Sequence, residues 1–456
     1  MVNSGAGGND VAEQRHRAAR DFGGAVLLCI AAGCANDPGA ADSLLPSLET
    51  RLSIDTLLGH STTYNQLADG LDEKEAVALA LRNSPTFRAG LADLGIAEAD
   101  VFDARRPANP TLQLIDPVGP GVLEGAISIP IDLLRRPARV AAAKAILKKA
   151  TLDQIQAGLA LARDVRSQFA VVGAADERAT ALADDAQALN EISRILQVKA
   201  GLGRGTGLDA AVARAAALDR QSDADIAAAD ARAARTVLSA LIGADLGDIK
   251  LLPLPIALDP ASVPTRDALL KAALETRPDV VAADLAVEAA AKNRSGAFLD
   301  VLKPSAYVDL GQEKGEDLKA SGGGAIDVPI FNQGQGAQKR ADSVLKRALA
   351  ERDGVRLRVN AEIISAHDAL VSASAALNRI DSDLIPAAER SAVFTRQSFD
   401  LGRAPLADVL TARRALNAAH IKRADAAASL RRSIAALNYS AGRELFATTS
   451  AALEKQ

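Results

Sequence analysis

The sequence predicts a mainly α-helical protein with a small β part, built as two repeats of long coiled-coil helices. About a fifth of the 456 residues are alanine, which has the highest helix propensity, and only 3% are aromatic. Two helices separated by a polar residue and a proline occur twice, around Ser84-Pro85 and Arg277-Pro278. Each copy is followed by a helical tract of about 65 residues, which would reach about 100 Å if straight. Long, closely packed helices fit these observations better than a globule around a pocket.

The N-terminus has the pattern of an export signal. Basic residues precede a short apolar run, residues 25–32, and small residues follow it, as in secretory signal peptides. The run is too short to cross a bilayer, which takes about 20 apolar residues. Residues 31–34 resemble a bacterial lipobox, which predicts that residues 1–33 are a signal peptide and that acylated Cys34 begins a lipidated linker, residues 34–64. An ordinary signal peptide with a chance cysteine is the alternative.

Landmarks that recur in the same order divide the rest of the chain. The first structural repeat spans residues 65–243, and the second spans residues 266–441. A linker, residues 244–265, joins the repeats, and residues 442–456 form a C-terminal tail. Because a polar-Pro break, an extended segment and a helix break occur in the same order in both halves, we interpret the pattern as a duplication.

Each repeat contains one predicted β-hairpin, at about residues 109–131 and 304–330. In the first hairpin, apolar residues alternate with Thr, Gln and Ser, which gives a strand one apolar and one polar face. Strands of about 10 residues suit a tilted crossing of a membrane. Four strands cannot close a membrane barrel, and an open edge in lipid leaves backbone groups unsatisfied. Membrane insertion therefore requires several copies to share one barrel. Two soluble hairpins that cap a helical bundle are the alternative.

The two long helical tracts, residues 132–200 and 332–400, are expected to be broken near their middles and to fold back at one end. We place the fold-back at residues 172–180 in the first tract and at 376–386 in the second, where Pro386 marks it. A further long helix closes each repeat after a glycine-containing break. The breaks are Lys199–Gly203 and Phe399–Arg403.

Charge and reactive residues argue against nucleic-acid binding and against catalysis. The net charge is -4, without the basic excess of a nucleic-acid binder. The two cysteines, Cys29 and Cys34, lie near the N-terminus, and the four histidines lack ligand spacing. The segments Gly322-Gly323-Gly324 and Gly334-Gln335-Gly336 lack the Lys-Ser/Thr of a P-loop. We therefore expect no enzyme activity, no catalytic residue, no metal site, no cofactor and no nucleic-acid partner.

Three features occur together in the expected order along residues 65–445. They are the duplicated Pro-break helix, the strand ends Ile129-Pro130-Ile131 and Val328-Pro329-Ile330, and the segment Phe399–Leu410. With them the chain resembles the TolC-like outer-membrane factors of tripartite efflux and type I secretion systems. The last segment is similar to the family's aromatic-x-x-Gly-x-x-x-x-x-Asp-Val-Leu pattern. Asn109-Pro110 and Pro130–Arg139 resemble the heavy-metal cation efflux branch.

The resemblance implies a homotrimer in the outer membrane of a Gram-negative bacterium, anchored by lipid and extending into the periplasm. Three protomers would share a twelve-stranded membrane β-barrel and an α-barrel of long helices with an equatorial belt. Residues 243–265 and the C-terminal stretch from Gly442 are the candidates for that belt. The channel would be a passive conduit for small molecules or metal cations. It would bind a periplasmic adaptor protein and, indirectly, an inner-membrane pump. A periplasmic coiled-coil scaffold lipoprotein without a pore is the alternative function.

Two groups of residues near the predicted folds-back are candidate sites. Small residues at equivalent places in the two repeats are predicted to contact the adaptor at helix tips, although tight turn packing explains them equally well. They are Val172, Gly173, Ala174, Ser374, Ala375 and Ala376. Acidic residues are predicted to form a ring at the tunnel entrance that favours cations, with solvation of exposed turns as the alternative. They are Asp176, Glu177, Asp381 and Asp383, beside Asp184 and Asp185.

Overall fold

A computed structural model of the chain describes most residues between Ala40 and Phe446. The described residues are 40–53, 70–115, 121–131, 136–247, 249–252, 263–296, 304–313, 317, 319–326, 330–331 and 333–446. The predicted signal peptide, Cys34 and much of the two predicted linkers lie outside them, as does the tail after Phe446.

The described elements are mostly helices. In the first half they are α1 (Ala40–Leu52), α2 (Glu73–Asn83), α3 (Pro85–Arg105), β1 (Thr111–Ile115), β2 (Gly121–Pro130), α4 (Arg136–Gly201) and α5 (Gly207–Ile242). In the second half they are α6 (Arg266–Thr276), α7 (Pro278–Gly296), β3 (Ser305–Glu313), β4 (Lys319–Ala325), α8 (Gln335–Arg379), a π-turn (Ile380–Leu384), α9 (Ile385–Asp400) and α10 (Leu406–Ala441). From α2 to α5, each first-half element has a counterpart in the second half. The predicted fold class, mainly helical with a small β part and a duplicated plan, is confirmed.

Local sequence fixes the paired short helices. Asp72 caps α2 by accepting a hydrogen bond from the Glu75 N–H at 2.7 Å, and Glu75 accepts one from the Asp72 N–H at 3.0 Å. Ser84 ends α2 and caps α3, and Pro85 occupies the first turn of α3, where no intrahelical N–H bond is lost. The polar-Pro break in the sequence is therefore a junction between two helices.

The fold-back predicted inside each long tract is wrong. α4 continues for 66 residues as one helix through residues 172–180, because apolar side chains such as Phe169 and Val172 are buried along its length. In the second tract Pro386 does not end the helix. The π-turn precedes it, and the Ile385 N–H donates to the Ile380 carbonyl, which accommodates a proline that cannot donate. The chain reverses instead at the two glycine-containing breaks.

The two hairpins join into one antiparallel sheet with the strand order β1-β2-β3-β4. Leu112 of β1 lies opposite Ile127 of β2, which lies opposite Val308 of β3, which in turn lies opposite Gly322 of β4. The central β2–β3 pair therefore links the first repeat to the second.

The hydrophobic core lies where the short helices pack on the long ones. In the first half, Leu48 of α1 and Phe169 of α4 belong to one buried cluster. In the second half, Ile363 of α8 and Leu437 of α10 belong to another. Nearer the reversals the contacts involve small side chains such as Ala213 of α5, which allow close helix approach. None of the described helices is both long and apolar enough to cross a membrane.

Candidate functional site: a two-faced sheet and paired helix reversals

The four-stranded sheet has one apolar and one polar face. Residues directly opposite each other in antiparallel strands share a face, so the register assigns every side chain to one side. The apolar face carries Leu112, Leu114, Ile127, Ile129, Ala306, Val308, Leu310, Ala320 and Gly322. The other face carries Gln113, Ser128, Tyr307, Asp309, Lys319 and Ser321. The alternation seen in the first hairpin thus extends across the whole sheet.

The apolar face is uncovered within one protomer. Leu112 is 55% exposed, Leu114 is 73% exposed and Val308 is 41% exposed. In the described part of the chain, β1 pairs only with β2 and β4 pairs only with β3, so the outer edge of each strand is free. A large exposed apolar face with two free edges marks a surface that requires another partner.

The two helix reversals have the same backbone geometry. Gly203 and Gly402 both have φ of +70°, the left-handed conformation that follows a helix C-terminus. The next residue closes each turn, because the N–H of Arg204 or Arg403 donates to the carbonyl five residues earlier, at 2.8 and 2.7 Å. The sequence Leu-Gly-Arg occupies both turns.

An exposed leucine projects from each reversal. Leu202 is 66% exposed and Leu401 is 67% exposed, each directly before its turn glycine. The sequence located both breaks but did not identify them as helix tips. The shared Leu-Gly-Arg triplet at both breaks is the signal that identifies them. Within the part of the chain that the structure describes, these turns are therefore the tips of the long helices.

The small residues predicted to form adaptor contacts do not lie at a chain reversal. Val172, Gly173 and Ala174 lie within α4, and Ser374–Ala376 lie near the end of α8. Val172 is fully buried and Ser374 is 5% exposed, so neither side chain is available to a partner. The predicted tip placement is wrong. Contact of an adaptor with the less buried residues of these two groups stays a prediction.

Two of the four predicted ring residues are engaged in ion pairs between helices. Asp176 of α4 pairs with Arg235 of α5 at 2.6 Å. Asp381, in the π-turn, pairs with Arg423 of α10 at 2.8 Å. The arginines neutralise the negative charge of these carboxylates, and the two ion pairs link neighbouring helices.

The predicted acidic ring does not lie at a helix end. Asp176 is separated from the end of α4 at Gly201 by 25 residues, or about 38 Å along the helix. Its placement beside a fold-back is therefore wrong. It stays a prediction that acidic side chains near Asp176 give the tunnel a negative lining. Glu177 and Asp383, both exposed, would contribute to it.

Asp185 is the centre of a buried polar cluster that links three helices. Its side chain is 6% exposed and lies 3.1 Å from the Arg220 guanidinium of α5. From α10, Arg413 donates to it at 3.0 Å and Asn417 at 3.1 Å. These four residues connect the first repeat to the second. The sequence showed Asp185 only as one of several acids, because its partners lie far away in the chain.

Arg277 is fully buried at the junction of α6 and α7. It pairs with Asp279 at 2.9 Å and with Glu362 of α8 at 2.6 Å, and it donates to the Ser440 carbonyl at 3.1 Å. Burial alone lowers the pKa of Arg277, but the charges of Asp279 and Glu362 outweigh it and raise the pKa. The arginine therefore stays charged and joins α6, α8 and α10.

A second buried ionic group joins α2, α4 and the segment that follows α10. Arg166 lies 3.3 Å from Glu73 and 3.5 Å from Glu444. Burial raises the pKa of Glu73, while Arg166 and Arg431 oppose that rise. Within the described residues, no group of three His, Cys, Asp or Glu side chains is placed to hold a metal ion.

Solved structures with a similar fold are outer-membrane proteins. The chain matches the outer membrane protein VceC of Vibrio cholerae with a TM-score of 0.68 at 17% identity, over 84% of this chain and 97% of that chain. It matches the outer-membrane channel OprN with a TM-score of 0.69 at 20% identity, over 87% and 97% of the two chains. It matches CusC, which forms a transmembrane channel, with a TM-score of 0.65 at 15% identity, over 91% and 99%.

The chain has the TolC-like outer-membrane channel fold. The resemblance inferred from the sequence is thereby confirmed for the fold. A scan against family models finds no match, and neither does a comparison with curated proteins. In the TolC-like fold of this chain, the two-faced sheet lies at one end of the long helices and the Leu-Gly-Arg reversals lie at the other.

Proposed function

We propose that the chain is one protomer of a homotrimeric channel in the outer membrane of a Gram-negative bacterium, and that the channel is a passive export conduit. One observation carries the proposal: the sheet combines an uncovered apolar face with two free edges. Lipid would cover the apolar face. Neighbouring copies would satisfy the edges.

Strand number explains the need for several copies. Four strands cannot enclose a lumen, and unpaired backbone groups at an edge are costly in lipid. If β4 of each copy pairs with β1 of the next, three copies close one twelve-stranded barrel. Gln113, Asp309 and Lys319 then face a polar lumen, while Leu114 and Val308 face lipid.

Exposed apolar residues on the long helices support lateral assembly. Leu357, Ile364 and Val371 recur every seven residues on α8 and are 72%, 41% and 51% exposed. A seven-residue apolar repeat on an exposed helix face is the pattern of a coiled-coil seam. We assign this stripe to packing against a neighbouring copy, so that the helices of three protomers enclose a tunnel.

The position of α1 supports a lipid anchor at Cys34. Leu48 packs on Gly158, which lies 22 residues, or about 33 Å, along α4 from Arg136 at the sheet end. Arg51, further along α1, donates to the Gly442 carbonyl, so α1 runs away from the sheet. Ala40 then lies about 21 Å from the sheet end. Cys34 lies six residues before Ala40, and an extended chain of that length would reach at most about 20 Å, enough for an acylated Cys34 to insert in the membrane surface.

The partners follow from the two ends of the molecule. The sheet end would contact outer-membrane lipid, and the reversals with Leu202 and Leu401 would dock a periplasmic adaptor. The adaptor would connect the conduit to an inner-membrane pump, which supplies the energy. Adaptor binding would favour open tips over closed ones in a population shift.

The cargo class follows from the resemblance alone. We propose small molecules or metal cations, because Asn109-Pro110 and the segment Pro130–Arg139 resemble the heavy-metal efflux branch. A wide conduit requires no tight cargo site. The same arrangement would also serve a type I secretion system.

Cysteine labelling of adjacent strand residues tests the proposed function. In outer-membrane preparations, Gln113→Cys should react with a water-soluble maleimide, because it faces the lumen. Leu112→Cys should resist that reagent and react with a lipid-soluble one. These neighbours share one strand and differ only in the face they occupy, so each is the control for the other.

Equal reaction of both variants with the water-soluble reagent would contradict the membrane sheet. The alternative, a periplasmic coiled-coil scaffold lipoprotein without a pore, would then be favoured. The hairpins would in that case cap a helical bundle in water.

A further inference from the structure

We infer that the helix ends beside the sheet form a basic collar that binds anionic phospholipid headgroups in the periplasmic leaflet of the outer membrane. The collar comprises the last turns of α3 and α7 and the first turns of α4 and α8. The inference rests on the proposed membrane sheet and names the lipid class that meets its helix end. Three observations carry it: a local excess of positive charge, cations without carboxylate partners, and exposed apolar side chains at the same height.

The four helix ends that form the collar are more basic than the rest of the chain. Within about 12 Å of each end they contain nine basic and five acidic residues, a net charge of +4. The ranges counted are 97–106, 136–144, 288–296 and 335–343. The whole chain has a net charge of -4. Three protomers would place three times the collar charge around the channel at one height.

Helix stability does not account for the positive charge at the start of α4. The segment Arg136–Lys149 contains five basic and no acidic residues. The helix macrodipole is positive at an N-terminus and therefore disfavours cations there. α8 also has no acidic residue in its first turn, and Lys339 and Arg340 follow directly. A local choice that opposes helix stability is expected where the residues serve a function.

Several cations of the collar are available to an external anion. Lys144, Lys339 and Arg340 are exposed, and none of them forms an ion pair with a carboxylate among the residues that the structure describes. Other cations of the collar are already paired. Arg294 contacts Asp342 at 2.5 Å, and Lys292 contacts Glu288 at 2.6 Å. The internal pairs are therefore formed, and positive charge remains.

Two arginines of the collar are held in place by the end of α3. Arg136 donates to the Arg105 carbonyl, and Arg139 donates to the Arg106 carbonyl at 3.0 Å. These bonds join the start of α4 to the end of α3 and position the guanidinium groups where the helices meet the sheet. A guanidinium has five N–H donors in a fork that matches the oxygens of a phosphate.

Exposed apolar side chains show that the collar faces a membrane interface. Phe331, four residues before α8, is 96% exposed, and Phe102 near the end of α3 is half-exposed. Arg106 lies over the Phe102 ring, 3.9 Å from its centroid. Ile131 continues the alternation of Ile127 and Ile129 beyond the end of β2 and is also exposed. Basic side chains beside exposed rings are typical of a surface that lies at the headgroup level.

The other end of the sheet lacks the basic excess. The segments between paired strands, 116–120 and 314–318, contain three acidic residues and one basic residue. Like charges repel, so these segments disfavour contact with lipid phosphates. In the proposed orientation the long helices extend into the periplasm, so the collar meets the periplasmic leaflet. An anionic phospholipid such as phosphatidylglycerol supplies the complementary charge.

Native mass spectrometry of the detergent-purified full-length protein tests the collar. The protein is titrated separately with phosphatidylglycerol, phosphatidylcholine and lipid A, and the bound lipids per protomer are counted. Phosphatidylglycerol should bind at least about tenfold more tightly than phosphatidylcholine, because several cations near one headgroup add their attractions. The same spectra report the oligomer mass. Lipid binding and assembly are therefore read independently.

A triple variant tests the named residues. Lys144→Gln, Lys339→Gln and Arg340→Gln together remove three exposed charges that form no ion pair among the described residues, so the protein should fold. Its affinity for phosphatidylglycerol should fall at least about tenfold, while its affinity for phosphatidylcholine stays the same. The matched control combines Lys199→Gln, Arg390→Gln and Arg414→Gln, three exposed positions near the reversals, and should behave like the wild type.

The outcomes separate the collar from the conduit. Equal affinity for the two phospholipids, or equal losses in the two triple variants, would overturn the collar. Tighter binding of lipid A than of phosphatidylglycerol, lost in the collar variant, would overturn the periplasmic leaflet. A trimer that conducts without a headgroup preference refutes the collar and leaves the conduit. A preference that the collar variant abolishes, in a protein whose Leu112→Cys reacts with the water-soluble maleimide, supports the collar and refutes the membrane sheet.

Discussion

Tyr307 of β3 covers Gly323 of β4. The two residues lie directly opposite each other in the sheet register. A Cβ atom placed on Gly323 would lie 2.6 Å from the phenol Cζ and Oη of Tyr307. The glycine therefore makes room for the ring, and the ring shields a strand that has little side-chain surface of its own. In the proposed barrel this contact faces the lumen.

Replacing Gly323 by alanine should loosen the second hairpin. The added methyl group displaces the Tyr307 ring. Because the clash is with the movable end of a partly exposed side chain, we expect a cost below the roughly 1–3 kcal/mol of overpacking in a core. We expect a lower thermal unfolding temperature for the detergent-purified protein. Gly322→Ala is the matched control, because its Cβ would meet only the Tyr307 carbonyl at 3.7 Å and points to the other face. Equal effects of the two variants would contradict the contact.

The two turn glycines should be intolerant of a side chain for a reason that is purely conformational. Gly203 and Gly402 have φ of +70°, but a Cβ on either would meet nothing within 4 Å. Gly203→Ala and Gly402→Ala should each lower the free energy of unfolding by about 1–2 kcal/mol. Gly201→Ala, where φ is not positive and space is open, should stabilise the end of α4. Chemical denaturation of all three variants measures this difference, and a neutral Gly402→Ala would argue against the turn geometry.

Removing Arg277 should be among the most damaging single changes in the chain. Arg277→Met leaves the carboxylates of Asp279 and Glu362 without their common partner, and breaking a buried ion pair costs about 3–5 kcal/mol. We expect strongly reduced stability in denaturant unfolding. Lys292→Met, which removes an exposed pair with Glu288, should leave stability unchanged. An Arg277→Met variant as stable as the wild type would show that the pair is dispensable.

Glu73 should make stability depend on pH in a defined direction. Burial raises its pKa in the folded protein, so the folded state binds this proton more tightly than the unfolded state. Its stabilising contribution is complete below the ordinary glutamate pKa of about 4.3 and is lost as the pH rises through the raised value. The unfolding temperature of the wild type minus that of Glu73→Gln should therefore fall as the pH rises above the ordinary glutamate pKa. A difference that rises with pH would reverse the assigned sign.

Features that depend on local sequence were predictable. The Pro-break helices follow from residues within one or two turns of Ser84 and Arg277, and the sheet follows from two-residue alternation. The duplication is visible because equivalent landmarks occur in the same order. The glycine-containing breaks at Lys199–Gly203 and Phe399–Arg403 were visible in the sequence, but the reversals were expected at 172–180 and 376–386. The Leu-Gly-Arg triplet shared by both breaks is the signal that identifies the true reversals.

Features that depend on distant contacts were not predictable. Pro386 indicated a chain reversal, but a single π-turn accommodates it, because the Ile385 N–H donates to the Ile380 carbonyl and the helix continues beyond it as α9. Arg277 and Asp185 look like ordinary surface charges in sequence. Their partners Ser440 and Asn417 lie 163 and 232 residues away, so only the fold brings them together. Acidic residues assigned to an entrance ring proved in part to be interhelical ion pairs for the same reason.

The most direct test of the shared conduit is single-channel conductance of the detergent-purified protein in a planar bilayer, with its oligomer mass measured on the same sample. Three copies that close one barrel predict a trimer mass and stable conductance steps of uniform size. A monomer or dimer that never conducts would contradict the shared barrel and leave the scaffold interpretation in its place.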